Sequence, residues 1–200
     1  MTKKQKLAEI ANRIKKCKKC PLYKSRLHAV PGEGNPNTKI MFVGEAPGEE
    51  ENKQGRPFVG AAGKFLDELI KLAGFERKDV FITNIVKDRP PNNRDPLSEE
   101  IQACWPYLEA QIKIIKPKLI ITLGRHAMYK FLPERLKISR DHGKVFKMVE
   151  KKTGRCQVYY PVYHPAAALY QGGLKAALEK DFRKIPKISE KLINTKNQLN

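Results

Sequence analysis

With 200 residues, 40% of them hydrophobic, the chain is long enough for one compact domain with a sizeable core. No apolar run approaches the ~18 residues of a membrane span, and the opening Met1-Thr2-Lys3-Lys4 turns at once into a charged segment, so neither a membrane protein nor a secretory leader is expected and a cytoplasmic location is the default. Lys and Arg outnumber Asp and Glu by 40 to 21, a formal charge of +19. A field of that sign draws in polyanions such as nucleic acid, the plainer alternative being a lysine-rich solvated surface.

In chain order, residues 4–16 read as a helix with Leu7, Ile10, Ala11 and Ile14 on one face. Cys17-Lys18-Lys19-Cys20 follows, the spacing of a metal or redox motif. Disulfides are not expected of the four cysteines (Cys17, Cys20, Cys104, Cys156) in a chain of this kind. A turn-rich stretch from Val30 to Asn37 leads to a buried strand, Lys39–Val43, and then to a Gly, Pro and Glu-rich loop from Gly44 to Gly60. Residues 61–73 form a helix stopped by Gly74, and Val80–Ile85 is the second strand. Asp95 reads as an N-cap with Pro96 at the first helical position, and that helix runs to about Ile115. Lys118–Leu123 is the third strand, followed by a helix that stops at Pro133. A hairpin pairs Lys144–Val149 with Cys156–Tyr160 around Thr153-Gly154, which makes Cys156 a buried strand residue. Val162–Tyr163 leads into His164-Pro165, a last helix carries Leu174, Ala177, Leu178 and Phe182, and the polar tail from about residue 189 to 200 frays. Strands alternating with helices predict an α/β fold of three layers (α/β/α) around a central, mostly parallel four-stranded sheet, in a single domain spanning residues 1–200.

Open α/β sheets bind ligands beyond the carboxyl ends of their strands. Glu45 after the first strand, Asn84 at the end of the second, Gly124 and Arg125 after the third and His164 after the last fall there. Each has a modest alternative: a solvated carboxylate, a turn cap, a satisfied loop histidine. Together they suggest a cleft that grips a polar planar ligand. The chain has no Walker A loop, no G-x-G-x-x-G after a strand, no G-x-S-x-G and no deaminase pattern of H-x-E with P-C-x-x-C.

Gly44-Glu45-Ala46-Pro47-Gly48-Glu49-Glu50-Glu51, with Gly55-Arg56-Pro57-Phe58-Val59-Gly60, closely resembles the family 4 uracil-DNA glycosylases, the thermostable branch that carries an iron–sulfur cluster. Thr83-Asn84-Ile85-Val86-Lys87, Arg89-Pro90-Pro91-Asn92-Asn93-Arg94, His164-Pro165 and the CxxC pair extend the resemblance from about Cys17 to Leu174. It implies hydrolysis of the N-glycosidic bond of a uracil flipped out of single- or double-stranded DNA, which leaves an abasic site and begins base excision repair. By position, Asn84 is to read the uracil edge, Phe58 to stack on the base, and His164 to donate to uracil O2. Glu45 is to serve the water or the sugar cation, Glu51 to shape the pocket near uracil C5, and backbone at Gly44 and Ala46 to line it. Arg89, Asn93 and Arg94 face DNA, and Leu169 is the wedge of a minor-groove loop, Ala166–Tyr170, whose ordinary alternative is a helix start.

The resemblance also implies a [4Fe–4S] cluster on four cysteines. Cys17, Cys20 and Cys104 match, but the fourth position is Asp88, in Lys87-Asp88-Arg89-Pro90-Pro91. Three alternatives stand at that position: Asp88 ligates through a carboxylate oxygen, the fourth iron is absent or water-held as in a [3Fe–4S] form, or Cys156 substitutes, which its distant hairpin position disfavours; zinc is a further occupant of such thiolates in a recombinant preparation. A monomer is expected, and contact with a sliding clamp is left open because no clamp-binding motif is evident near the end. Two rival readings are a non-catalytic cluster-bearing DNA-binding module and a relative that traps uracil-DNA covalently; the trapping relative depends on a histidine-bearing loop, and the Asp88–Arg94 loop has no histidine.

Overall fold

The computed structural model describes residues 1–149 and 156–194. The turn expected at Thr153-Gly154 and the last residues of the tail, 195–200, lie outside the described residues. Among the described residues no helix is long and apolar enough to cross a membrane.

The centre is a sheet of β2 (Ile40–Gly44), β3 (Phe81–Asn84), β4 (Leu119–Leu123) and β6 (Cys156–Val162), paired in parallel in the order β3-β2-β4-β6. Every residue of β2, β3 and β4 is buried, as expected of parallel strands covered on both faces. Among the described residues the sheet has six strands rather than four. A two-residue strand, β1 (Glu33–Gly34), adds to β3 antiparallel, and β5 (Phe146–Val149) adds to β6 as the other half of the predicted hairpin. β1 is too short and polar to carry a pattern. Its Gly34, at φ +127, lies so close to β3 that a Cβ would stand 2.0 Å from the Val80 carbonyl oxygen.

Alternation along the strands makes two cores. Ile40, Phe42, Ile121 and Tyr160 face α3 (Ala61–Leu72), α7 (Pro165–Tyr170), α8 (Gly172–Phe182) and α9 (Ile185–Asn194). Met41, Val43 and Ile120 face α4 (Ser98–Ile115) and α5 (Arg125–Phe131). Helix α1 (Lys3–Lys15), capped by reciprocal Thr2–Gln5 hydrogen bonds, lies outside α4 through Ile10, Ile14 and Tyr107. Helix α3 ends as predicted: Gly74, at φ +76, donates to Lys71 and the Phe75 N–H to Ile70.

Four local expectations are corrected. The loop from Gly44 to Gly60 contains a helix, α2 (Glu49–Gln54); three glutamates in its first turn suit the helix N-terminus, and Gly55 closes it in the left-handed region. Helix α4 starts at Ser98 with Leu97 as N-cap, because Glu100 Oε2 accepts from the Leu97 N–H at 2.8 Å; Asp95 and Pro96 lie before it, outside the helix. Cys156 is exposed, since it opens β6 opposite exposed Val149 and the strand enters the core only from Val158. Residues 189–194 are helical rather than frayed, because Ile185, Ile188 and Leu192 set one apolar face of α9 against the core.

Candidate active site

Gly44 and Asn84 are register partners at the carboxyl ends of β2 and β3, and His164 follows β6 by two residues. The structure brings Glu45, Asn84 and His164 to one cavity of about 320 Å³, with Ala46, Glu51, Phe58, Asn93 and Arg94 also in its walls. Gly44 stands directly behind that wall, where an added Cβ would fall 2.4 Å from Asn84 Oδ1 and 2.6 Å from Phe58 Cζ.

Asn84 is buried, and its Oδ1 has no hydrogen-bond partner among the described residues. Buried polar atoms are nearly always satisfied, so an orphan acceptor in a cavity wall points to a ligand donor. The backbone beneath is fixed from below: Lys87, wholly buried, donates to the Asn84 carbonyl at 2.7 Å, to Thr83 Oγ1 at 2.6 Å and to Gln111 Oε1 at 3.0 Å. Burial pulls the Lys87 ammonium down to about 7.

Phe58 sits at φ +51, a left-handed conformation that a bulky residue adopts only when its surroundings impose it. Arg77 imposes it from one side, donating to the carbonyls of Pro57 and Phe58 while paired with Glu33 and Asp67. From the other side Gly63 lets α3 approach so closely that a Cβ would lie 2.0 Å from the Phe58 carbonyl. The ring therefore faces the cavity, its centroid 5.7 Å from that of His164.

Glu51 shapes the pocket through backbone. Its Oε1 accepts from the Val59 and Gly60 N–H groups at 2.8 and 2.9 Å, and its Oε2 from the Gly48 N–H at 3.0 Å. One carboxylate thus ties the loop after β2 to the loop that carries Phe58. Glu51→Ala leaves three donors without that acceptor; we expect a loss of about 2–3 kcal/mol of stability, read as a lower urea midpoint.

His164 Nδ1 accepts from the Ala166 N–H at 3.2 Å, so the ring proton belongs on Nε2. Burial holds its pKa down near 4, against a smaller opposing effect of Glu51, and the ring is neutral at physiological pH. Glu45 is the opposite case. Burial first, and then the neighbouring Asp95, push its carboxyl up to about 7, with Arg125 acting the other way.

Asp95, freed from capping α4, lies in the cavity wall with an oxygen 3.2 Å from His126 Nε2. The sequence reading assigned Asp95 to a helix cap and did not single out His126 or Lys87. His126 follows Gly124-Arg125 at the edge already marked by the strand-end rule, which is the signal that could have found it. Arg94 is engaged in a two-pronged pair with buried Glu100 at 2.9 and 2.7 Å, and Arg89 donates to Asn93 Oδ1 at 2.7 Å. Ala166–Tyr170 is the short helix α7 rather than a loop, and Leu169 and Tyr170 are exposed, Tyr170 by 88%.

Behind the Asn84 wall, Cys20 and Cys104 lie close enough to Asp88 to feel its charge, and Cys17 neighbours Cys20. Burial raises both thiols, Cys104 to about 11, and backbone N–H groups of Leu22 and Lys87 donate to the Cys20 and Cys104 sulfurs. Buried thiols with backbone N–H groups on their sulfurs, near enough to a carboxylate to feel its charge, are of the donor type that a cationic metal group takes. Asp88 is already paired with Arg26 at 3.2 Å. Cys156 stands elsewhere, in a hollow with Lys3, Lys39 and Lys118.

A model of the uracil DNA glycosylase superfamily matches residues 31–186. The type-4 uracil-DNA glycosylase of Sulfurisphaera tokodaii is 53% identical over 191 residues, covering 92% of this chain and 84% of that protein. Those of Saccharolobus solfataricus and Archaeoglobus fulgidus are 51% and 45% identical, covering 95% and 92% of this chain and 90% and 94% of theirs.

Proposed function

The chain belongs to the type-4 uracil-DNA glycosylases, enzymes that excise uracil from DNA, and on that premise we propose how its own residues divide the work. Asn84 holds the uracil edge, its amide pairing with O4 and N3–H; the observation that carries this is the orphan Oδ1 in the wall. Phe58 stacks on the ring. As the C1′–N1 bond breaks, its electron pair leaves with the base, and His164 Nε2–H donates to the charge building on O2. A neutral imidazole serves as this donor without giving up its proton. Glu45, ionised above its raised pKa, accepts the proton of the water whose oxygen bonds to C1′.

The positive charge of the chain, +19, supports attraction to the DNA backbone, with Asn93 in the cavity wall, Arg89 hydrogen-bonded to it and Leu169 exposed on α7. Cys17, Cys20 and Cys104, with Asp88 as fourth donor, are the residues that would hold an iron–sulfur cluster. Bound there, such a group supplies a cross-link between the end of α1, α4 and the loop from Asp88 to Arg94.

The test is a labelled oligonucleotide with a single uracil, treated with alkali after incubation, beside a thymine control. Cleavage that requires both uracil and Asn84 supports the assignment, and full activity of Asn84→Ala sinks it. Iron analysis and the visible absorption of Asp88→Ala test the fourth ligand: unchanged iron content and spectrum remove Asp88 from the set.

A further inference from the structure

Glu45, Asp95 and His126 come from three separate segments, yet one polar atom of each lies within 4.8 Å of the other two. Asp95 lines the same cavity as Glu45. His126 Nε2 accepts from Arg125 Nε at 2.9 Å and lies 3.2 Å from Asp95 Oδ2, while Arg125 Nη2 stands 3.7 Å from that same oxygen. Arg125 thus bridges His126 Nε2 and the Asp95 carboxylate, holding a cation and an anion beside the carboxylate assigned to water.

We propose that Asp95 and Arg125, held together beside Glu45 with Arg125 anchored on His126, are positioning residues that act through Glu45: their opposed charges set the readiness of Glu45 to take a proton from water. The proposal rests on the reading of Glu45 as proton acceptor and deepens it. In the step, the water oxygen bonds to C1′, its proton passes to Glu45, and the C1′–N1 electron pair departs with uracil. An ionised Asp95 strengthens Glu45 as a base; Arg125 tempers it so that Glu45 is still ionised near neutrality.

The other charged and titratable groups around this corner are accounted for. Arg94, from the segment before α4, is held by Glu100. Glu51, on α2, is held by three backbone N–H groups. His164, at the start of α7, is neutral above a pKa of about 4. His126 is shifted down, chiefly by burial, and its Nε2 accepts from Arg125, so it anchors that side chain.

The sign of each effect follows. Glu45 titrates near 7, so the active, ionised form is lost as pH falls through that value. Asp95→Asn removes a neighbouring negative charge and lowers the Glu45 midpoint by about one pH unit; Arg125→Gln removes a positive charge and raises it by about as much. Asp95 and Arg125 side chains are 63% and 61% exposed, so both variants should fold.

The experiment pairs two readouts on the full chain. The carboxyl carbon of Glu45, assigned by its absence from the Glu45→Gln spectrum, is titrated by NMR in wild type and both variants. Single-turnover excision of uracil from an oligonucleotide is then followed against pH. Opposite shifts of the NMR midpoint in the two variants, matched by shifts of the acid limb of the rate, are the expected result. A midpoint that neither substitution moves overturns the coupling and leaves Glu45 as base untouched. A midpoint that moves while the rate profile stays fixed overturns the reading of Glu45, and the proposal with it.

Discussion

His164→Ala is expected to slow uracil excision by ~10²–10³-fold in single turnovers, with the same ratio to wild type at about pH 6 as at about pH 8. The size follows from removing one donor aimed at an oxygen that gains charge only as the glycosidic bond breaks. The constancy follows from protonation. With Nδ1 accepting from Ala166 and burial holding the pKa near 4, His164 does not change charge across that range, so any pH dependence belongs to other groups, Glu45 and Lys87, and is common to both proteins. His164→Gln, which keeps an N–H donor on a side chain of similar reach, should recover part of the loss. If the deficit of His164→Ala instead grew steeply as the pH fell from about 8 to about 6, a charged imidazolium would be the active species and the assigned tautomer would be wrong.

The parallel strands were legible because a strand buried on both faces has to be an apolar run, as Met41–Val43 and Leu119–Leu123 are. Their carboxyl ends then located Glu45, Asn84 and His164 without any contact being known. What escaped was set by contacts between distant segments. Asp95 carries the local signature of a helix cap, and only the Glu100–Leu97 hydrogen bond and the nearness of His126 show that it faces the pocket instead. Lys87 reads as a surface lysine until Thr83, Asn84 and Gln111 are seen to accept its three hydrogen bonds. Glu51 was legible as part of a motif, but its role as an acceptor for loop N–H groups depends on where residues 59 and 60 come to rest. The positive φ of Phe58 has no local cause at all, because it is imposed by Arg77 from one side and by the close approach at Gly63 from the other.

Gly44→Ala is expected to lower excision ~10²-fold or more while leaving the protein folded, because a small displacement of the groups that grip the base has that order of effect on rate. Gly44 does not occupy the left-handed region, so alanine is allowed by its backbone and the effect is one of space. The new methyl would lie 2.4 Å from Asn84 Oδ1 and 2.6 and 2.8 Å from Phe58 Cζ and Cε2. Neither neighbour gives way freely: the Asn84 backbone is held by Lys87 and the β2–β3 ladder, and the Phe58 backbone by Arg77. The relief available is rotation of the Phe58 ring or of the Asn84 amide, and each spoils the surface that uracil must meet. Overpacking of this kind costs about 1–3 kcal/mol, so denaturant unfolding should show a modestly lowered but cooperative transition. Gly173→Ala, where an added Cβ meets nothing within 4 Å, is the control and should keep wild-type rates. Phe58→Leu in the Gly44→Ala background removes one of the two clashing partners, so the second substitution should cost less there than in wild type; strict additivity of the two losses would place the collision at Asn84 alone.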